Sequence, residues 1–134
     1  MCSAVVAGNH PGRIVWIQTV RLDFFDALCG DAAACCLALS IAKDMGSKFI
    51  IVESDSRVVI NALNRKDSCW ALDNYVSFCN SYSSLFSSCI FSNISRLCNF
   101  VTHNVANWTF FHQKFGVISV DSIPLELLCN DREV

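Results

Sequence analysis

The chain has 134 residues, of which 53% are hydrophobic and 16% are charged, so it carries enough apolar material for the core of one globular domain and is not a disordered segment. Its formal net charge of -2 and pI near 5.8 exclude a strongly basic surface, so any contact with phosphate groups is expected to be local. No apolar stretch is long enough to span a bilayer and the N-terminus has no signal sequence, so we expect an intracellular, non-secreted protein whose nine cysteines are reduced and act as small apolar residues.

The first part of the chain is predicted to form a β-hairpin and then a helix. Residues 3–7 and 13–22 are predicted strands, and the turn-rich segment GNHPG between them suits an antiparallel connection. Residues 31–45 are predicted to form a helix that has small residues on one face and ends at Gly46. This small face should pack closely against a sheet.

A buried strand is predicted at residues 49–54, where four apolar residues run without alternation into the polar segment ESDS. Such a run is typical of a strand that is buried on both faces. A predicted helix at residues 57–63 follows, so Asp55 stands at the carboxyl end of the strand, where ligands and catalysis usually lie in open α/β sheets. The alternative role for Asp55 is a helix N-cap, shared with Ser54 or Ser56.

The second half of the chain gives weaker signals. A helix is predicted at residues 73–85, a last strand at 89–95, and a helix with regularly spaced apolar residues at 99–114. We expect the segment 116–134 to lie loosely over the domain as a C-terminal tail.

The order of these elements resembles the ribonuclease H superfamily, specifically the plant reverse-transcriptase-like RNase H type-1 domains derived from retroelements. Three motifs carry the resemblance: the small-residue helix DAAACCLALSIAKDMG, the strand and helix FIIVESDSRVVINALN, and the Asn99-to-His103 spacing in NFVTHNVANW. The resemblance implies an α/β fold with an RNase H-like mixed sheet flanked by helices in residues 1–115. The match begins at the family's second strand, so it also implies that the first, central strand is missing.

The resemblance further implies two-metal-ion hydrolysis of the RNA strand of an RNA–DNA hybrid, with Mg²⁺ or Mn²⁺ as cofactor. Two hard cations stabilise the attacking and leaving oxygens, and they prefer oxygen ligands, so this chemistry needs clustered carboxylates. In the family these come from the first strand, the start of the first helix, the end of the ESD strand and the last helix. The implied partner is an RNA–DNA hybrid or another nucleic acid, and no membrane is implied.

Carried onto this chain, the pattern makes Asp31 and Asp55 the metal ligands and adds His103 as the third candidate catalytic residue. Asp31 stands where the family usually has Glu, and His103 stands where many relatives have the last Asp. Without the resemblance, Asp31 would be interpreted as a favourable charge in the first turn of a helix, and His103 as a locally hydrogen-bonded histidine.

Two hypotheses therefore remain open. The first is an RNA–DNA hybrid endonuclease, impaired by an incomplete set of carboxylates. The second is a non-catalytic RNase H-like remnant that binds nucleic acid weakly or not at all. Four basic residues could contact phosphates in either case: Arg57, Arg65, Lys66 and Arg96.

Overall fold

The computed structural model describes residues 2–8, 14–21 and 26–128, and the chain divides into two compact units. Of the described residues, the first unit combines 2–8 and 14–21 with 97–128, and the second contains 26–96. In chain order the described elements are β1 (Cys2–Gly8), β2 (Ile14–Arg21), α1 (Ala27–Asp44), β3 (Phe49–Ser54), α2 (Arg57–Leu63), α3 (Asp73–Ser83), β4 (Ser88–Asn93), α4 (Phe100–Phe111), β5 (Gly116–Ile118) and α5 (Leu125–Leu128).

The first unit is built on an antiparallel sheet with strand order β1-β2-β5. The predicted hairpin is confirmed, since β1 pairs with β2 in a register that places Ala4 opposite Thr19; the connecting turn lies outside the described residues. Helix α4 packs on β1. The core of this unit contains Ala4, Ile17, Val105, Ile118 and Ile123.

The expectation of a loosely lying tail is wrong for residues 116–128. Strand β5 pairs with β2, placing Ile118 opposite Ile17, so β4 is not the last strand. Both Ile118 and Ile123 are buried, because the segment supplies apolar side chains to the core of the first unit. The boundary between a domain at 1–115 and a tail at 116–134 stays a prediction.

The second unit is built on the parallel pair β3-β4, whose register places Ile51 opposite Ile90 and Ser54 opposite Asn93. Helices α1, α2 and α3 supply most of the rest of its core, together with Leu72 and Phe86. The prediction that β3 is buried on both faces is wrong: Val52 is buried, whereas Phe49 and Ile51 are 75% and 65% exposed. The helices cover only the face of the strand that carries Val52, because that face packs in one apolar cluster with Leu39 of α1 and other helix residues.

Helix α1 begins four residues before its predicted start. Asp26 is its N-cap: the carboxylate accepts a hydrogen bond of 2.9 Å from the Leu28 N–H. The first turn therefore contains no acidic residue, and Asp31 lies in the second turn. The interpretation of Asp31 as a first-turn charge is wrong for this reason.

Gly46 ends helix α1, as predicted. Its φ of +72° is in the left-handed region, which glycine adopts without the strain that a Cβ would add. The N–H of Gly46 donates to the Lys43 carbonyl and the N–H of Ser47 to the Ala42 carbonyl, both at 3.0 Å. This is a Schellman motif, which satisfies two of the last carbonyls of the helix.

The predicted mixed α/β architecture, with sheets flanked by helices, is confirmed. Its described strands form two sheets, one antiparallel with three strands and one parallel with two. Parallel pairing of β3 and β4 requires a crossover, which α2 and α3 provide. The absence of the family's first strand stays a prediction.

Candidate functional site

Asp55 is the first residue after β3, as the sequence predicts, and it is not the cap of the helix that follows. Ser56 is the N-cap of α2, because its hydroxyl accepts a hydrogen bond of 3.4 Å from the Val59 N–H. The Ser54 hydroxyl accepts another from the Ser56 N–H at 3.2 Å. The two serines therefore satisfy the turn, and the Asp55 carboxylate is not needed for capping.

The carboxyl ends of β3 and β4 meet beside Asp55. The Ser54 carbonyl accepts two hydrogen bonds from the end of β4, one from the Asn93 side-chain amide at 3.1 Å and one from the Ile94 N–H at 3.0 Å. In addition, the Asn64 amide donates to the Phe91 carbonyl at 3.0 Å, which fixes the end of α2 against β4. These bonds hold the edge that carries Asp55 in a defined position.

Arg96 is the charged neighbour of Asp55 in this unit. Its Nη1 lies 3.9 Å from Asp55 Oδ2, and the Arg96 side chain is 78% exposed whereas that of Asp55 is 13% exposed. The separation is longer than a charge-assisted hydrogen bond of about 2.7–2.9 Å. The pair is therefore a loose ion pair, and solvent limits its strength.

Asp31 is half-buried in α1, in the same unit as Asp55. Its charge acts on Cys35, one helical turn further along α1. Burial, followed by the charges of Cys36 and Asp31, raises the pKa of the Cys35 thiol to about 12. Asp31 thus contributes negative charge to the interior side of α1.

His103 lies in α4, which belongs to the first unit. Its backbone N–H donates to the Asn99 carbonyl at 3.3 Å, so the predicted Asn99-to-His103 spacing is one helical turn. The imidazole is half-buried. The functional role of His103 stays a prediction, as do the metal-ligand roles of Asp31 and Asp55.

The donor groups among the described residues fall short of the complete two-metal site that the resemblance implies. Within residues 2–8, 14–21 and 26–128, no three side chains of His, Cys, Asp or Glu are grouped so that they could hold a metal ion. Two adjacent divalent cations require more carboxylate oxygens than Asp31 and Asp55 supply. A neutral imidazole at His103 adds no negative charge and is a poor ligand for Mg²⁺.

Sequence reasoning missed Asn93 and the pairing of Arg96 with Asp55. Both could have been found by aligning the carboxyl ends of the two strands, since FIIVES and SCIFSN pair in parallel from end to end. Parallel strands bring the residues after their carboxyl ends to one edge of the sheet. Arg96 was identified only as one of four scattered basic residues.

No helix within the described part of the chain is long and apolar enough to cross a membrane.

A family model described as reverse transcriptase-like matches residues 2–109 of the chain. No curated protein gives a significant match.

Three solved structures share the fold of this chain at low sequence identity. RNase H1 from the halophilic archaeon Halobacterium salinarum has a TM-score of 0.78 at 18% identity, over 83% of this chain and 86% of that chain. The N-terminal RNase H domain of a Mycobacterium tuberculosis protein has a TM-score of 0.70 at 12% identity, over 83% and 92%. LC11-RNase H1 in complex with an RNA/DNA hybrid has a TM-score of 0.71 at 15% identity, over 80% and 83%.

Proposed function

We propose that this chain binds RNA–DNA hybrids and cleaves their RNA strand only weakly. The chain belongs to the reverse transcriptase-like family. Its fold is that of RNase H. The observation that carries the proposal is the position of Asp55 at the joined carboxyl ends of two parallel strands, in a turn that two serines already cap. The carboxyl end of a strand is where ligands and catalysis usually lie in open α/β sheets, and the cap of the following helix is supplied by Ser56 and not by Asp55.

A similar structure supports the nucleic-acid partner. LC11-RNase H1, whose fold this chain shares, was solved in complex with an RNA/DNA hybrid. The net charge of -2 argues against long-range attraction to such a duplex, so binding depends on individual cations. Arg96 is suited to this, because it is 78% exposed and only loosely paired with Asp55.

Weak cleavage follows from the acidic residues that the chain retains. Asp31 and Asp55 would be the ligands for Mg²⁺ or Mn²⁺, and His103 stands in place of a further carboxylate. Such an incomplete set would bind divalent cations less tightly and would supply less stabilisation of the attacking and leaving oxygens. We therefore expect cleavage to be slow and to depend on Asp55.

A labelled RNA–DNA hybrid incubated with the full chain and Mg²⁺ or Mn²⁺ tests this proposal. We expect slow, metal-dependent cleavage of the RNA strand that is lost in the Asp55→Asn variant. The matched control is Asp44→Asn, which removes the charge of an exposed carboxylate at the C-terminal end of α1. Cleavage that survives Asp55→Asn would contradict the assignment of Asp55.

The second candidate function is binding without catalysis. The grouping of donor side chains favours it, since the described residues contain no set of three that could hold a metal ion. The same assay separates the two candidates. A folded sample that binds the hybrid and leaves it intact with both metals is a binding module; one that cleaves it through Asp55 is a weak nuclease.

A further inference from the structure

Two cysteines face each other between α1 and α3 in the second unit. The Sγ atoms of Cys36 and Cys79, which are 43 positions apart in the sequence, lie 3.5 Å from one another. Cys79 is fully buried and Cys36 is half-buried. A disulfide has an S–S bond of about 2.05 Å, so closing the pair requires each sulfur to move by less than about 1 Å.

We propose that Cys36 and Cys79 form a peroxide-sensitive dithiol, a modification site that closes to a disulfide linking α1 to α3. The 3.5 Å separation of the two sulfur atoms favours this pair over the neighbouring cysteines. Cys36 is the more exposed member of the pair, since Cys79 is fully buried. Metal binding is a weaker reading of the pair, because no third donor completes a metal-binding group among the described residues.

The pKa values of the two thiols are shifted in opposite directions. The hydrogen bond between the two sulfurs lowers the pKa of Cys36, although burial opposes the shift. The same bond, together with burial, raises the pKa of Cys79. Cys36 is thus the thiolate that reacts first, since the thiolate and not the thiol is the nucleophile.

Cys35 is excluded as the reacting thiol although it is adjacent in sequence. It is buried, and burial together with the neighbouring charges raises its pKa to about 12. A thiol with so high a pKa stays protonated near neutral pH and reacts slowly. The chemistry is therefore specific to one of the two adjacent cysteines.

The oxidation consists of two displacements. The Cys36 thiolate attacks one oxygen of hydrogen peroxide, the O–O bond breaks, and Cys36 becomes a sulfenic acid as hydroxide leaves and takes up a proton. The Cys79 thiol then loses its proton and its sulfur attacks the Cys36 sulfur, forming the S–S bond and releasing the sulfenic oxygen as water. In sum, two thiols and one peroxide give one disulfide and two waters.

The crosslink can be located by mass spectrometry on the full chain. Reduced protein is treated with hydrogen peroxide, its free thiols are blocked with N-ethylmaleimide, and it is digested with trypsin without reduction. We expect a disulfide between the segments 22–43 and 67–96, each of which contains three cysteines. The crosslink should disappear in Cys36→Ser and in Cys79→Ser.

Matched controls lie in the same two segments. Cys29→Ser and Cys89→Ser should leave the crosslink in place, because neither sulfur belongs to the pair. A crosslink that persists in Cys36→Ser, or that uses Cys35 in its place, would overturn the proposal. So would oxidation of Cys36 to sulfinic acid with no crosslink formed.

A stability measurement gives a second readout that does not depend on peptide mapping. A disulfide that closes a loop of this length restricts the unfolded chain, so oxidation should raise the unfolding temperature by about 5 °C or more. The shift should reverse on addition of dithiothreitol and be absent in Cys79→Ser. An unfolding temperature that does not change, or that falls, on oxidation would also contradict the proposal.

Discussion

Asp55 illustrates how two neighbouring residues determine what a third can do. Ser54 and Ser56 accept the hydrogen bonds that the turn after β3 requires, at 3.2 and 3.4 Å. Asp55 lies between these two serines, and its carboxylate lies 3.9 Å from Nη1 of Arg96. The two serines thus supply the local hydrogen bonds of the turn, and the functional role of Asp55 stays a prediction.

The capping role of Ser56 predicts that Ser56→Ala destabilises the chain. Loss of the N-cap of α2 should lower the free energy of unfolding by about 1 kcal/mol, because the Val59 N–H loses its acceptor. Urea unfolding followed by circular dichroism measures this. As a control, Ser122→Ala removes an exposed hydroxyl that bonds only within a short turn, and should change the free energy of unfolding by less than about 0.5 kcal/mol. Equal effects of the two substitutions would contradict the capping role.

At the scale of elements, the termini of α1 determine where Asp31 lies. Asp26 starts the helix and the Schellman motif at Gly46 ends it. Asp26→Ala should destabilise the chain by about 1 kcal/mol, since the Leu28 N–H loses its acceptor.

Asp44→Ala is the matched control for that prediction, because it removes the same type of side chain from the opposite end of α1. A carboxylate near a helix C-terminus faces the negative end of the helix dipole, so its removal should be neutral or slightly stabilising. Urea unfolding measures the free energy of unfolding of both variants. A larger decrease for Asp44→Ala than for Asp26→Ala would contradict the capping role of Asp26.

The elements could be predicted from the sequence wherever local signals agreed. The hairpin, the β3 strand and the α2 helix were found because apolar pattern and turn residues pointed the same way. The start of α1 was misplaced because Gly30 disfavours helix locally, and packing at this buried position overrides that preference. Strand β5 was missed because its three residues are too few to form a pattern, and only pairing with β2 makes them a strand.

The exposed face of β3 was beyond sequence reasoning for a different reason. An apolar run such as FIIV predicts burial, but the number of faces covered depends on which elements pack nearby. Asp55 could be identified because its position follows from the strand-to-helix order alone. Its contact with Arg96 was missed, because finding it requires the carboxyl ends of β3 and β4 to be aligned in parallel register.

At the scale of the whole molecule, buried thiols make stability depend on pH. Burial, with nearby charges, raises the pKa of Cys35 from 9.0 to about 12. Above pH 9 the unfolded chain releases this proton and the folded chain keeps it, so the folded state binds more protons. The free energy of unfolding should therefore fall by about 1.4 kcal/mol per pH unit for this thiol as the pH rises through that range.

Urea unfolding under reducing conditions at about pH 8 and about pH 10.5 measures this loss. Cys79 and Cys89, whose pKa values are also raised, add to the slope in the same direction. The Cys35→Ala variant should show a shallower dependence on pH than the parent chain. A parent chain that is equally stable at both pH values would contradict the burial of neutral thiols.

The most direct test of the proposed function is to measure binding of the full chain to an RNA–DNA hybrid without divalent metal. Fluorescence anisotropy monitors the binding as the salt concentration is increased. We predict measurable binding that weakens with salt, and in Arg96→Ala a weaker affinity with a salt slope smaller by about 1, as expected for one lost phosphate contact. Asp44→Ala should bind as the parent chain does. A folded chain that does not bind the hybrid at low salt, or whose binding is unchanged in Arg96→Ala, would contradict the account.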